Sequence, residues 1–226
     1  TGMTSGQKNF PLVDSYFKFN QYGNSGAWVS ELFPNTAKIV DELCFIKSMH
    51  TTQVNHAPAI TFFMTGSEQA GRPAIGSWLS YGLGNENANL PSFVVLCPGK
   101  PVRFSILWSS AFLPAQHQGV YINHSNLDPK QMIPWLTNSR LAPADQRRQL
   151  DLMQMLNAEH LATRGGGDVM LNGRIQAMET AFRMQSAATD AFDVNLEPQK
   201  VREMYGTSHF SNGCLMARRL VERGVR

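Results

Sequence analysis

Cysteine is scarce and unpaired here: Cys44, Cys97 and Cys214 are the only three, far apart in the chain. With no C-x-x-C pair, they exclude a disulfide framework and a cysteine zinc site, and leave the redox compartment open. Each lies in an apolar or helical stretch, so each is expected to be a buried free thiol. Long apolar runs are also missing, and no stretch approaches the roughly 20 residues that span a bilayer. Charge of one sign is not concentrated: Lys plus Arg number 20 against 17 Asp plus Glu. The basic residues form no run, and Arg147-Arg148 and Arg218-Arg219 fit solvated helix faces. Nucleic acid is therefore not indicated as a partner. What remains is the composition of a globular protein, 42% hydrophobic and 16% charged over 226 residues, long enough to bury a sizeable core.

The stretch 1–27 is an irregular lead-in. From 28 to 98 the rhythm is α/β. Pro34 suits the first turn of a helix whose apolar stripe is Ala37, Val40 and Cys44. Cys44–Met49 reads as a buried strand, Ala57–Met64 and Ala74–Leu83 as helices, and Pro91–Leu96 as a second strand. This alternation predicts a parallel sheet with those two strands as near neighbours. Residues 99–140 are broken by Pro101, Pro114, Pro129 and Pro134 and read as loops with one short strand near Gly119–Ile122.

The stretch 141–226 is helical. Pro143–Thr163 and a helix with Leu171, Ile175, Met178 and Phe182 on one face form an antiparallel hairpin around the glycine turn Gly165-Gly166-Gly167. That turn lacks the Lys-Ser/Thr of a phosphate loop. Asn212–Gly224 is a further helix with Cys214, Ala217 and Val221 on one face and Gly224 at its C′ position. The chain starts at Thr1 without an initiator Met or export signal, and its last helix runs into an extended Val225-Arg226. We therefore expect a fragment, with an open sheet edge beside exposed apolar side chains.

The most informative segment runs from Leu43 to Gly66, where a strand-like run leads through a polar loop into a helix ending at Thr65-Gly66. Residues at such a junction lie outside the carboxyl end of a strand, where open α/β sheets bind ligands. The helix amino terminus adds N–H donors that suit an anion. Asn55 and His56 occupy this junction. Asn55 is either an N-cap or an amide donor to an oxyanion. His56 is either a capping histidine or a metal ligand or acid/base. Arg72, in a Gly-Arg-Pro turn, is either a surface residue or an anion clamp. His50 most simply satisfies a backbone carbonyl, whereas His117, His124, His160 and His209 look like loop or helix-surface residues. Trp28, Trp78, Trp108 and Trp135 read as packing anchors.

The run from Thr36 to Gly66 resembles the start of a sulfatase-type domain, in which helix and strand lead into a C-x-P-S-R-x-x-L-L-T-G nucleophile segment. Aligning Thr65-Gly66 on its T-G places Pro58 on the proline and His56 on the modified cysteine. Four segments are similar to the bacterial family called domain of unknown function 1501, of the alkaline phosphatase and sulfatase-like superfamily. They are Gly26–Leu32, Asn55–Ala59, Gly71–Gly84 and Ala217–Arg226.

The resemblance implies an incomplete alkaline-phosphatase-like three-layer α/β/α sheet. It also implies part of an exported, periplasmic or secreted, metal-dependent hydrolase of phosphate or sulfate esters. Its substrate class would be a small anionic ester or a sulfated glycan. A divalent metal (zinc, calcium or manganese) is implied as well, with His56 a possible ligand and the others outside the segment, so that the fragment alone would be inactive. His56 cannot become formylglycine, and Ile60 stands where sulfatases carry the motif arginine. The alternative is a non-catalytic sulfatase-fold module that binds an anionic glycan or a protein partner.

Overall fold

The computed structural model describes residues 6, 8–9, 12–99, 104–134, 136–163 and 167–226. The chain is a mixed α/β protein that divides into two compact units, Thr1–Val54 and Asn55–Arg226.

The first unit is built on an antiparallel hairpin. Strand β1 (Phe19–Tyr22) pairs with β2 (Ala27–Ser30), with Phe19 opposite Ser30 and Tyr22 opposite Ala27. A 3-10 helix over Thr36–Glu42 covers it, and Val29, Ala37 and Val40 form a small core. Asp41 joins the two pieces: its carboxylate accepts from Asn24 N at 2.8 Å and Ser25 N at 2.9 Å. Those two bonds hold its carboxyl below the usual carboxylate range. Gly23 (φ 65°) sits under this carboxylate, where a side chain would meet the Asp41 and Val40 side chains.

Two expectations fail in this unit. Cys44–Met49 is irregular rather than a strand, with Phe45, Ile46 and Met49 all exposed. Its apolar residues find no neighbouring strand among the described residues, and apolar character alone does not specify one. The helical stripe ends at Val40, and Cys44 lies outside the helix and exposed.

The second unit opens with α1 (His56–Thr65), which stops at Gly66 in the left-handed region (φ 72°), as the Thr-Gly signal predicts. Helix α2 (Ile75–Leu83) follows, then β3 (Val94–Leu96) and β4 (Val120–Ile122). These strands are parallel, with Val94 opposite Val120 and Leu96 opposite Ile122. The parallel partner of β3 is thus the short strand expected near Gly119–Ile122, not Cys44–Met49.

After α3 (Pro129–Met132) come α4 (Pro143–Thr163) and α5 (Val169–Ala191). They lie antiparallel through Gln146–Gln185 and Arg147–Glu179 hydrogen bonds and an Arg147–Phe182 cation–π contact. Of the glycine turn between them, Gly165 and Gly166 lie outside the described residues. Of the Leu171, Ile175, Met178 and Phe182 stripe, Met178 is exposed and the other three are only half-buried. The core face of α5 is instead Met184, Ala188 and Ala191, joined by Phe192.

Helices α6 (Gln199–Tyr205) and α7 (His209–Val221) complete the unit. The expected face of α7 is inverted: Cys214, Ala217 and Val221 are exposed, while Gly213, Leu215, Met216, Arg219 and Leu220 are buried. Arg219 is therefore no solvated-face residue. It pairs with Glu197 and donates to Asp190 O at 2.8 Å. This satisfies its charge, so the larger apolar group Leu215, Met216 and Leu220 can face the core. Buried thiols are not found either, since Cys44 and Cys214 are exposed and Cys97 is half-buried. Among the tryptophans, Trp108 is a buried anchor stacked on Tyr121, but Trp28 and Trp78 are exposed; Trp135 lies outside the described residues.

Candidate functional site

The predicted site residues stand where the helix places them, but without the strand that was to precede them. Asn55 is the N-cap residue of α1 (φ −87°, ψ 139°), and its side chain makes no cap hydrogen bond. His56 is the first helical residue, and both side chains are exposed. Pro58 has no N–H, and Ala59 N donates to Asn55 O at 3.0 Å. The free donors of this turn are thus the His56 and Ala57 amides. Arg72 is exposed between Gly71 (φ 103°) and the buried Pro73. His50 is exposed in the irregular stretch of the first unit. None of Asn55, His56 and Arg72 lines the large cleft of the second unit.

That cleft has a volume of about 870 Å³ and holds a polar cluster that sequence reasoning passed over. Ser80 Oγ lies 2.5 Å from Ser92 Oγ and 2.7 Å from His117 Nδ1. Ser80 is 1% exposed and Ser92 9%. His117 is half-buried, with its ring edge-on to Tyr81 at 5.4 Å. Burial pushes the His117 imidazole below its ordinary range, so it is neutral near pH 7.

Small residues set this geometry. Helix α2 turns Gly76, Ser77 and Ser80 inward, and Ala74 N and Ser77 Oγ both donate to Ser109 O. The Phe93 ring fills the space beside Gly76 and also lies 2.8 Å from where a Cβ at Gly119 would be. That sandwich fixes Ser92, next to Phe93 in the chain, and His117, two residues before Gly119. On the other side Gly173 of α5 lets the helix approach Ala115 N, at 3.1 Å from its would-be Cβ. This packs α5 on the 3-10 turn Ala115–His117. A legible signal existed: Ser77 and Ser80, three apart, lie on the same helix face as Gly76. What the sequence did not show is that His117, 37 residues on, meets that face.

His124 is buried rather than a surface residue, with Nε2 on His209 O at 3.0 Å. Among the described residues no group of three or more His, Cys, Asp or Glu side chains is placed to hold a metal ion. No helix among them is long and apolar enough to cross a membrane.

Compared with known proteins, the chain matches the family model described as protein of unknown function DUF1501 over residues 2–226. The chain belongs to the DUF1501 family. No curated protein and no solved structure matches it.

Proposed function

We propose that this DUF1501 chain is part of an exported, sulfatase-like hydrolase of phosphate or sulfate esters, built on an alkaline-phosphatase-like sheet. One observation carries the reading. The segment that resembles the sulfatase nucleophile run is a single helix, His56–Thr65, capped by Gly66, with His56 in its first turn. The His56 and Ala57 amides and the positive end of the helix suit an anionic ester oxygen. The exposed imidazole of His56 takes or gives a proton, the Asn55 amide donates to the anion, and Arg72 clamps it. The described residues do not by themselves form a site for a zinc, calcium or manganese ion, so no step is drawn through a metal.

The test uses the full-length protein with p-nitrophenyl sulfate and p-nitrophenyl phosphate, with and without added divalent metal. His56→Ala should lower turnover at least about tenfold, roughly 1.4 kcal/mol, and leave the melting temperature unchanged. Full activity in the variant sinks the reading. A second reading, a non-catalytic module that binds an anionic glycan or a protein, is favoured by the exposed Phe62 and Phe63 on the same helix. Binding of a sulfated glycan without turnover of either ester would select it.

A further inference from the structure

The cleft around Ser80 has a different chemistry from an anion site. Among the described residues its lining carries two formal charges, Glu86 and Arg183, and both are engaged. Glu86 accepts from Arg226, and Arg183 Nε donates to Ala88 O at 2.8 Å. The rest of the wall is apolar, including Leu90, Val120, Ile133 and Met184, or uncharged polar. Such a cavity takes an uncharged ligand with an apolar portion.

Three hydroxyl and imidazole groups then stand at one wall of it. A Ser80 hydroxyl has one proton and two lone pairs, so it can donate to His117 Nδ1 while it accepts from Ser92 Oγ–H. With His117 neutral, that is a nucleophile within hydrogen-bond reach of its base. The sideways direction of the hydroxyl matters too, because a mid-helix serine otherwise bonds back to the carbonyl four residues earlier.

We propose that Ser80 is a nucleophile and His117 its base, and that the cleft hydrolyses uncharged carboxylic esters with a short apolar acyl group. Ser80 Oγ adds to the ester carbonyl carbon as its proton passes to His117 Nδ1. The tetrahedral adduct collapses, the bond to the alcohol oxygen breaks, and His117 returns the proton to that oxygen. A water then adds to the acyl-serine and gives a proton to His117. The serine ester bond breaks, His117 reprotonates Ser80, and the carboxylic acid leaves. This activity is independent of His56.

The experiment uses the 226-residue chain with an alkyl fluorophosphonate and with p-nitrophenyl butyrate. The expected result is a phosphonyl adduct on the Ser80 peptide by mass spectrometry, together with butyrate turnover. Turnover should fall at least about 100-fold in Ser80→Ala and in His117→Gln. The exposed-histidine variant His160→Gln should be unchanged. The rate should drop on acidification only below the ordinary imidazole range, as His117 protonates. Natively folded wild-type chain whose Ser80 takes no adduct overturns the proposal, whether or not the variants fold. So does butyrate turnover that survives in Ser80→Ala. His56→Ala should leave butyrate turnover intact, so failure here and failure of the anionic-ester reading are separate results.

Discussion

The ring of Phe93 occupies the space that a side chain at Gly76 would need. The contact seats α2 on the residue just ahead of β3, and it does so with no backbone strain at Gly76. Gly76→Ala should therefore destabilise the second unit by about 1–3 kcal/mol, the usual cost of overpacking. Urea denaturation measures it. Phe93→Leu, which shortens the obstructing ring, should recover part of the loss in the double variant. Strict additivity of the two changes would show that the glycine is not there for the ring.

Asn55 supplies a contrasting case. A working N-cap typically contributes about 1 kcal/mol, but the Asn55 side chain makes no cap bond. Asn55→Ala should cost less than about 0.5 kcal/mol by thermal or urea unfolding. A loss of a full kilocalorie would make Asn55 a structural cap and remove it from the anion site.

The thiols give a direct check on the outward faces. Cys44 and Cys214 are exposed and Cys97 is half-buried. In the native protein, iodoacetamide should modify Cys44 and Cys214 well before Cys97, as followed by peptide mass spectrometry. Equal protection of all three would restore the buried-thiol reading and turn the Cys214 face of α7 inward.

Acid stability should report two ion-paired carboxylates. The Arg147 guanidinium holds Glu179 below the usual carboxylate range, and Arg218 first and then Arg219 do the same for Glu197. A carboxyl depressed in the folded state binds fewer protons there than in the unfolded chain. Its stabilisation is therefore full above the ordinary glutamate value of about 4.3, and is lost as pH falls through the depressed folded value. Urea midpoints should fall across that window, and Glu179→Gln and Glu197→Gln should each flatten the fall. At neutral pH Glu197→Ala leaves the buried Arg219 with only the more distant Asp190 carboxylate, 3.8 Å away, and should lower the urea midpoint.

Several elements were legible from local signals alone. The stop of α1 at Gly66, the bounds of α4 at Pro143 and Thr163, and the Val94–Leu96 and Val120–Ile122 strands follow from turn residues, caps and β-branched runs. Such signals act within a few residues, so a linear reading captures them. The family was legible as well, through runs such as Gly71–Gly84 and Ala217–Arg226.

Burial and pairing were decided only by the tertiary structure. Cys44–Met49 has the composition of a strand, but strand formation requires a partner, and none is present among the described residues. The inward face of α7 depends on whether Glu197 and the Asp190 carbonyl are present to satisfy Arg219. The meeting of Ser80, Ser92 and His117 depends on three glycines in separate segments that let Phe93 and α5 come close. The sequence by itself determined which short segments are helix or strand and where they end, because those energies are local. The folded chain determined which side chains meet, because packing and charge satisfaction depend on partners tens of residues away.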